Sequence, residues 1–252
     1  AGRIGSVGQR AANIILNESD LILCLGTRNS IFSVSYNYEN FAKNAYKICV
    51  DIDENELKKK TLNIDMPINE DLAKFIPNLL EQINNRLDID NWVKTCKEYN
   101  SRFSFANNKD YNSKKDKINP YYFVRKLTES MKEKDILVAG NGSACVITYQ
   151  VAEIKNNQRI FWNKGCAAMG YGFPASIGAC IKNNKNPIIC LDGDGSFMMN
   201  LQELQTVKQF NLPLKIFIIN NNGYISIKQT QNNFFEGHMV GSGTDSKVSM
   251  PN

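Results

Sequence analysis

Two short polar segments hold the residue types best suited to chemistry, and each follows an apolar run. Ile188-Ile-Cys-Leu191 leads into Asp192-Gly193-Asp194-Gly195-Ser196, and Leu214 to Ile219 leads into Asn220-Asn221-Asn222-Gly223-Tyr224. Asp194 offers a carboxylate between two glycines, which let the backbone turn sharply and approach a ligand closely. Asn221, twenty-seven residues later, adds an amide carbonyl. With a main-chain carbonyl assigned to Gly223, every donor is oxygen. That set suits Mg²⁺, which prefers an octahedron completed by water and phosphate oxygens. A diphosphate thereby enters the reading, with Ser196 and nearby N–H groups, at a loop entering a helix, as candidate donors to it. Each segment alone also reads as a plain turn, because Gly-Asp-Gly is common and the chain is rich in asparagine. Their joint occurrence, one crossover apart, favours a divalent cation held at one edge of a sheet.

For the two segments to meet, their strands must be parallel neighbours. A right-handed βαβ crossover of about this length returns the chain to the same sheet edge, where open α/β sheets bind ligands. The sequence supplies such elements: strands at 136–139, 159–162, 187–191 and 214–219, with helical stretches at 144–153, 172–181 and 201–210. Asn119-Pro120 opens this unit, with proline in the first turn of an amphipathic helix through Phe123, Leu127 and Met131. Residues 119–252 are therefore expected to be α/β, a doubly wound parallel sheet covered on both faces. Upstream, 21–25 and 47–53 read as buried parallel strands and 54–60 as the start of a helix, so 1–85 are expected to form part of a Rossmann-like unit. That unit is small for a domain, so its first strands are expected to precede residue 1. Residues 86–118, polar but carrying Trp92, Tyr99, Phe103 and Phe105, read as a linker with a loosely packed helix.

Composition narrows the function classes. The 252 residues are 42% hydrophobic and 22% charged, with no apolar run of membrane-spanning length. Net charge is +5, but the basic residues are dispersed, and the clusters Lys58 to Lys60 and Lys114 to Lys117 read as solvated surface. Neither a membrane nor a nucleic acid is an expected partner. Seven cysteines with no Cys-x-x-Cys pair read as small buried hydrophobes in a reducing, cytoplasmic setting. With a single histidine, His238, neither a Cys/His zinc site nor a histidine triad is easy to assemble. His238 itself reads as exposed and idle on a polar loop, with a role as an acid or base as the other option. Chemistry must then come from a bound cofactor. The opening residues show neither a leader pattern nor a start methionine, so the sequence is expected to begin inside a longer protein.

The stretch from Gly193-Asp194-Gly195 through Asn220-Asn221 resembles the thiamine diphosphate motif of the acetolactate synthase and pyruvate decarboxylase superfamily. Gly165-Cys-Ala-Ala-Met-Gly-Tyr-Gly-Phe-Pro-Ala-Ser-Ile-Gly178 is similar to that family's segment over the cofactor's central ring, and Gly140-Asn-Gly-Ser-Ala144 resembles its loop on the far side of the diphosphate. Asp20 to Arg28 with Val50-Asp-Ile-Asp53 is similar to the second half of the family's central domain. The resemblance implies thiamine diphosphate and Mg²⁺, the metal on Asp194, Asn221 and Gly223. It implies cofactor contacts from Asn141, Gly142 and Ser143, from Ala168 and Met169, from Gly193, Asp194, Gly195 and Ser196, and from Asn221, Gly223 and Tyr224. Met169 would hold the cofactor bent; from composition alone it reads as a core filler, and Asn141 with Ser143 as a bare turn. The central domain binds FAD in some relatives and nothing in many, and Arg28 and Asp51 are given structural roles only.

The implied activity is decarboxylation or carboligation of 2-oxo acids by a homodimer or homotetramer. A glutamate facing the cofactor would come from an amino-terminal domain of a partner subunit. No region here matches that domain, so these 252 residues alone are expected to be inactive. Thr230 stands where acetolactate synthases carry a tryptophan that shapes acceptor choice. Gln229 to Phe235 and Val240-Gly-Ser-Gly243 resemble relatives associated with surface polysaccharide synthesis. Two other readings stay open: a Rossmann-type nucleotide-binding module, with 140–145 or Gly2 to Gly8 as its phosphate loop, and a noncatalytic subunit keeping the metal site as a relic.

Overall fold

The computed structural model describes residues 2–83, 87–104 and 117–248. The chain divides into two compact units, Ala1–Lys109 and Asp110–Asn252.

In the first unit α1 (Arg10–Glu18), β1 (Leu21–Leu25), α2 (Ile31–Val34), β2 (Tyr46–Asp51), α3 (Glu54–Leu57), β3 (Met66–Asn69), α4 (Leu72–Gln82) and α5 (Asp90–Arg102) follow in order. The strands form a parallel sheet ordered β1-β2-β3. The expectation of a buried 21–25 strand needs correction. β1 is an edge strand, with Leu21, Leu23 and Leu25 exposed and Cys24 buried. Its apolar run therefore reflects one covered face and one open face, which continuous hydrophobicity does not distinguish from burial on both. β3 escaped the sequence reading because Pro67 interrupts its pattern, yet a residue without an N–H is tolerated at a sheet edge. The helix expected from 54 is one turn, capped by Asp53 Oδ1 accepting from the Asn55 N–H at 2.9 Å. α5 belongs to this unit: the Tyr99 hydroxyl donates to Glu18 Oε1 at 2.9 Å, and the Arg10 guanidinium lies 4.7 Å above the Phe103 ring. Of the expected linker, the 85/86 boundary, Phe105 and Lys114 to Asp116 lie outside the described residues.

The second unit begins where expected. Asn119 caps α6 (Pro120–Ser130), its Oδ1 accepting from the N–H groups of Tyr121 and Tyr122 at 2.9 and 3.3 Å. Then come β4 (Ile136–Ala139), α7 (Ser143–Val151), β5 (Arg159–Phe161), α8 (Gly172–Lys182), β6 (Ile188–Gly193), α9 (Asp194–Met198), a 3₁₀ turn (Leu201–Glu203), α10 (Leu204–Gln209), β7 (Leu214–Ile219) and α11 (Ile225–Phe234). All four strands run parallel in the order β5-β4-β6-β7. Period-two alternation sends Val138, Ile188 and Cys190 to one face, against Phe173, Ile177 and Cys180 of α8. Leu137, Ala139 and Ile189 go to the other, against Met131, Leu127 of α6 and Cys145 of α7. Covered on both faces, this is a doubly wound α/β sheet. Fully buried Phe173, Leu137, Ile188 and Leu191 each contribute about 1.5–3 kcal/mol of burial, which makes the sheet a fixed platform for the loops at its carboxyl edge.

The seven cysteines are all free. Cys24, Cys49, Cys180 and Cys190 are buried as expected, Cys96 and Cys145 are half-buried, and Cys166 is exposed.

Candidate cofactor site

The strand order defines where a ligand fits. From β4 the chain crosses to β5 on one side, and from β6 it crosses to β7 on the other, so β4 and β6 are neighbours at a switch point. Loops leaving their carboxyl ends diverge there and open a crevice. A pocket of about 290 Å³ occupies it, walled by loops after β4, β6 and β7 together with the segment before α8.

β6 runs directly into α9, so Asp194 is the first helical residue, with 6% of its surface exposed. Its Oδ1 accepts from the Gly195 N–H at 2.8 Å, and its Oδ2 accepts from the N–H groups of Asn221 and Gly223 at 3.2 and 3.1 Å. Gly193 pairs with Ile219 in the β6–β7 register, which brings the tips carrying residues 194 and 221 side by side. Three backbone donors leave one acceptor position of the carboxylate open. Beside it, Asn221 Oδ1 is buried and has no hydrogen-bond partner. A buried acceptor left unmade costs about 1–3 kcal/mol, so an orphan of this kind asks for an explanation, and a cation ligated by oxygen provides one. Gly223 turns its N–H to Asp194, while its carbonyl accepts from the Ile225 N–H at 3.1 Å and keeps a second lone pair. The three residues expected to supply oxygens to Mg²⁺ all line this pocket, and a donor set of oxygens alone is of the chemistry that ion takes. No group of three or more His, Cys, Asp or Glu suited to a metal occurs among the described residues.

Of the residues expected to contact a cofactor, all but Ala168 line the pocket; its neighbours Ala167 and Met169 do so instead. Gly142, at φ 55° and ψ −130°, caps α7 without a side-chain partner, so the first N–H groups of this nine-residue helix stay available near the pocket. Asn141 Nδ2 donates to Ala167 O at 3.1 Å and so ties the two loops together. Ser196, expected to donate to phosphate, is almost fully buried, and its Oγ accepts from the Gly170 N–H at 2.9 Å. It braces the segment that carries Met169. Asp192 has a different fate from Asp194: it is fully buried, and its Oδ1 accepts from the Gly193 N–H at 2.9 Å. Burial pushes its pKa up, against the opposing effects of the Gly193 N–H and the Ser196 hydroxyl.

The model of the C-terminal TPP-binding domain of the thiamine pyrophosphate enzymes matches residues 140–251, and that of their central domain matches residues 1–79. The chain belongs to the thiamine pyrophosphate enzymes. It is 32% identical over 235 residues to the acetolactate synthase large subunit of Lactococcus lactis, covering 93% of this chain and 40% of that protein. Against acetolactate synthase 2 of Brassica napus it is 32% identical over 241 residues, covering 95% and 37%. Against the isozyme 2 large subunit of Escherichia coli it is 29% identical over 235 residues, covering 93% and 41%. The chain thus spans about two-fifths of the length of these acetolactate synthase relatives. The match of the TPP-binding domain model falls in the second unit, which speaks against the nucleotide-module reading. Gly2 to Gly8 lies ahead of α1.

Sequence reasoning missed part of the wall. Ile225, Ser226 and Ile227, in the first turn of α11, line the pocket. Their position directly after the 221–224 segment was the available signal. His238 is exposed and stands with Phe234, Phe235 and Val240, away from Asp194 and Asn221. Arg28 and Asp51 bond within the first unit: the Arg28 carbonyl accepts from Lys59 Nζ at 3.0 Å, Asp51 Oδ1 from the Asp53 N–H at 2.9 Å, and the Asp51 carbonyl from Asn69 Nδ2 at 3.0 Å.

Proposed function

We propose that the whole protein is a thiamine diphosphate- and Mg²⁺-dependent enzyme acting on 2-oxo acids, by decarboxylation or by carboligation. The observation that carries this reading is the unpartnered, buried Asn221 Oδ1 beside Asp194, in a pocket whose lining contains no other charged side chain. A diphosphate entering alone would face a carboxylate with no lysine or arginine to offset it. A divalent cation between the two converts repulsion into attraction. Asp194, Asn221 and the Gly223 carbonyl would hold that ion, and the N–H groups that begin α7 after Gly142 would face phosphate oxygens. Met169, Ile225 and Ile227, all exposed, give the crevice an apolar wall. When bound, the cofactor supplies the electron sink for cleaving the bond between a 2-oxo carbon and its carboxyl group. The role of this chain is to anchor and orient that group.

Following the resemblance, the whole protein would be a cytoplasmic homodimer or homotetramer, with a glutamate contributed by an amino-terminal domain, and these 252 residues alone would bind without turning over substrate. Among the described residues, no helix is long and apolar enough to cross a membrane. Thr230, exposed on α11 with its hydroxyl donating to Ser226 O at 3.1 Å, puts a small polar group where acetolactate synthases carry tryptophan. This favours an acceptor other than that of acetolactate synthase, in keeping with a role in surface polysaccharide synthesis.

Calorimetry on the 252-residue chain tests the site. Thiamine diphosphate is expected to bind only with Mg²⁺, and Asp194→Ala is expected to abolish the heat. Equal binding by that variant would mark the site as a relic. A full-length protein inert towards every 2-oxo acid offered with both cofactors would end the enzymatic reading.

A further inference from the structure

The segment 242–246 is a compact turn bound to itself. Ser246 Oγ accepts from the N–H groups of Ser242 and Gly243 at 2.8 and 3.0 Å, and the N–H groups of Ser246 and Val248 donate to the Gly243 carbonyl at 2.9 and 3.0 Å. This unit sits on the metal-binding turn. Gly243 forms an antiparallel bridge with Gly223, and the Tyr224 N–H donates to Ser242 O at 2.9 Å. Ser242 is fully buried by the contact.

One ion pair closes the arrangement. Lys228, a single helical turn beyond Tyr224, places Nζ 3.0 Å from Asp245 Oδ1. The lysine side chain is only 18% exposed, and its stem lies across both glycines. A Cβ on Gly223 would meet Lys228 Cε at 3.1 Å, and one on Gly243 would meet Nζ and Cε. The two glycines therefore exist at these positions to let two backbones and one lysine stem stack together. A fully exposed lysine pair would contribute little, but here the stem is packed and the charge is directed at a carboxylate across the turn.

We propose that Lys228, through its pair with Asp245, is a positioning residue that clamps the 242–246 turn onto Gly223 and so fixes the 221–223 turn for the cation. The proposal rests on the Mg²⁺-dependent reading of the pocket. Without the clamp the Gly223 N–H loses the support that aims it at Asp194 Oδ2, and the Gly223 carbonyl and Asn221 Oδ1 no longer converge.

Amide hydrogen exchange on the 252-residue chain reads the clamp without any cofactor. Lys228→Met is expected to speed exchange at Gly223, Tyr224 and Gly243 by about fivefold, the upper end of what a partly exposed pair supports, with Ile189 and Leu191 in β6 unchanged. In calorimetry the same variant is expected to weaken Mg²⁺-dependent thiamine diphosphate binding by a similar factor. Exchanging the charges, Lys228→Asp with Asp245→Lys, is expected to restore part of both. Unchanged exchange at the three amides overturns the clamp. Faster exchange with cofactor affinity intact overturns the positioning role. If the unmodified chain shows no Mg²⁺-dependent binding at all, the reading of the pocket fails, and the exchange result alone decides the clamp.

Discussion

Truncating Asn221 to alanine should strengthen the ligand-free protein while abolishing its response to cofactor. In the ligand-free state the Asn221 side-chain oxygen is buried with no partner, which costs about 1–3 kcal/mol of stability. Asn221→Ala removes that oxygen but keeps the main-chain N–H that donates to Asp194 Oδ2 at 3.2 Å. Against the relief stands the lost packing of a half-buried amide, on the order of 0.5–1 kcal/mol. The net expectation is a gain of about 1 kcal/mol, or roughly 2–4 °C in Tm for a chain of this size. Asp194→Ala has the opposite sign. It leaves the N–H groups of Gly195, Asn221 and Gly223 without their acceptor, each at a cost of about 1 kcal/mol or more.

Adding Mg²⁺ and thiamine diphosphate at about a hundred times the dissociation constant should raise the stability of the unmodified chain by about 2.7 kcal/mol and leave Asn221→Ala unmoved. The order of the two melting curves therefore inverts between ligand-free and ligand-loaded samples. Thermal unfolding followed by circular dichroism, with NAD replacing thiamine diphosphate as a control, measures both halves. An alanine variant clearly less stable than its parent without ligand would mean that Asn221 Oδ1 is satisfied in solution. An equal gain on loading would mean that the amide oxygen does not meet the cation.

Three further outcomes follow from the packing. Gly140→Ala places a Cβ 1.9 Å from Asp192 Oδ1, while the Gly140 N–H is held to Leu191 O at 2.7 Å, so neither backbone nor carboxylate can yield; a loss of about 3 kcal/mol is expected in chemical denaturation. Gly178→Ala, in α8 with open space around it, should instead gain about 1 kcal/mol from helix propensity. Cys24 and Cys49 are register partners on β1 and β2, and the Cys49 thiol donating to the Cys24 sulfur lowers the Cys24 pKa from 9.0 to about 7, while the same pairing pushes Cys49 up. The stability contributed by Cys24 is thus present above 9.0 and is lost as pH falls through about 7. Cys49→Ala should return Cys24 towards the ordinary thiol range, read as a fall in ultraviolet thiolate absorbance at neutral pH.

The strands that carry the pocket loops were legible because each apolar run ends at a Gly, Asp or Asn, whereas α11 had no such announcement. The expected limits of β4 and β7 match those observed, and Asn119-Pro120 marked the start of α6 through a cap that the structure displays. The first unit was less legible because its sheet edges broke those rules. Pro67 hid β3, and the apolar run of β1 concealed an open face. In the pocket, residue type and strand-tip position were enough to single out Asp194 and Asn221. Neither could reveal that the Gly223 N–H serves the carboxylate, or that a lysine seven residues after Asn221 reaches back over the turn, since both depend on loop contacts with no sequence period.

The two carboxylates of Asp192-Gly193-Asp194-Gly195 show where residue type stops being informative. They differ by two positions and by nothing in their chemistry. Along a continuing strand, residues two apart would share one face of the sheet. The chain instead leaves β6 at Gly193 and begins α9 at Asp194, so that periodicity ends between them. Asp192 stays within the sheet, so close to Gly140 and Gly172 that a Cβ on either would strike its carboxylate. Asp194 swings out to the crevice and meets the turn after β7. The strand-to-helix transition therefore decides which acid is walled into the fold and which can face a cation. Inserting one residue between positions 193 and 194 should cost the metal response while leaving the buried acid, and with it the packing against α8, in place.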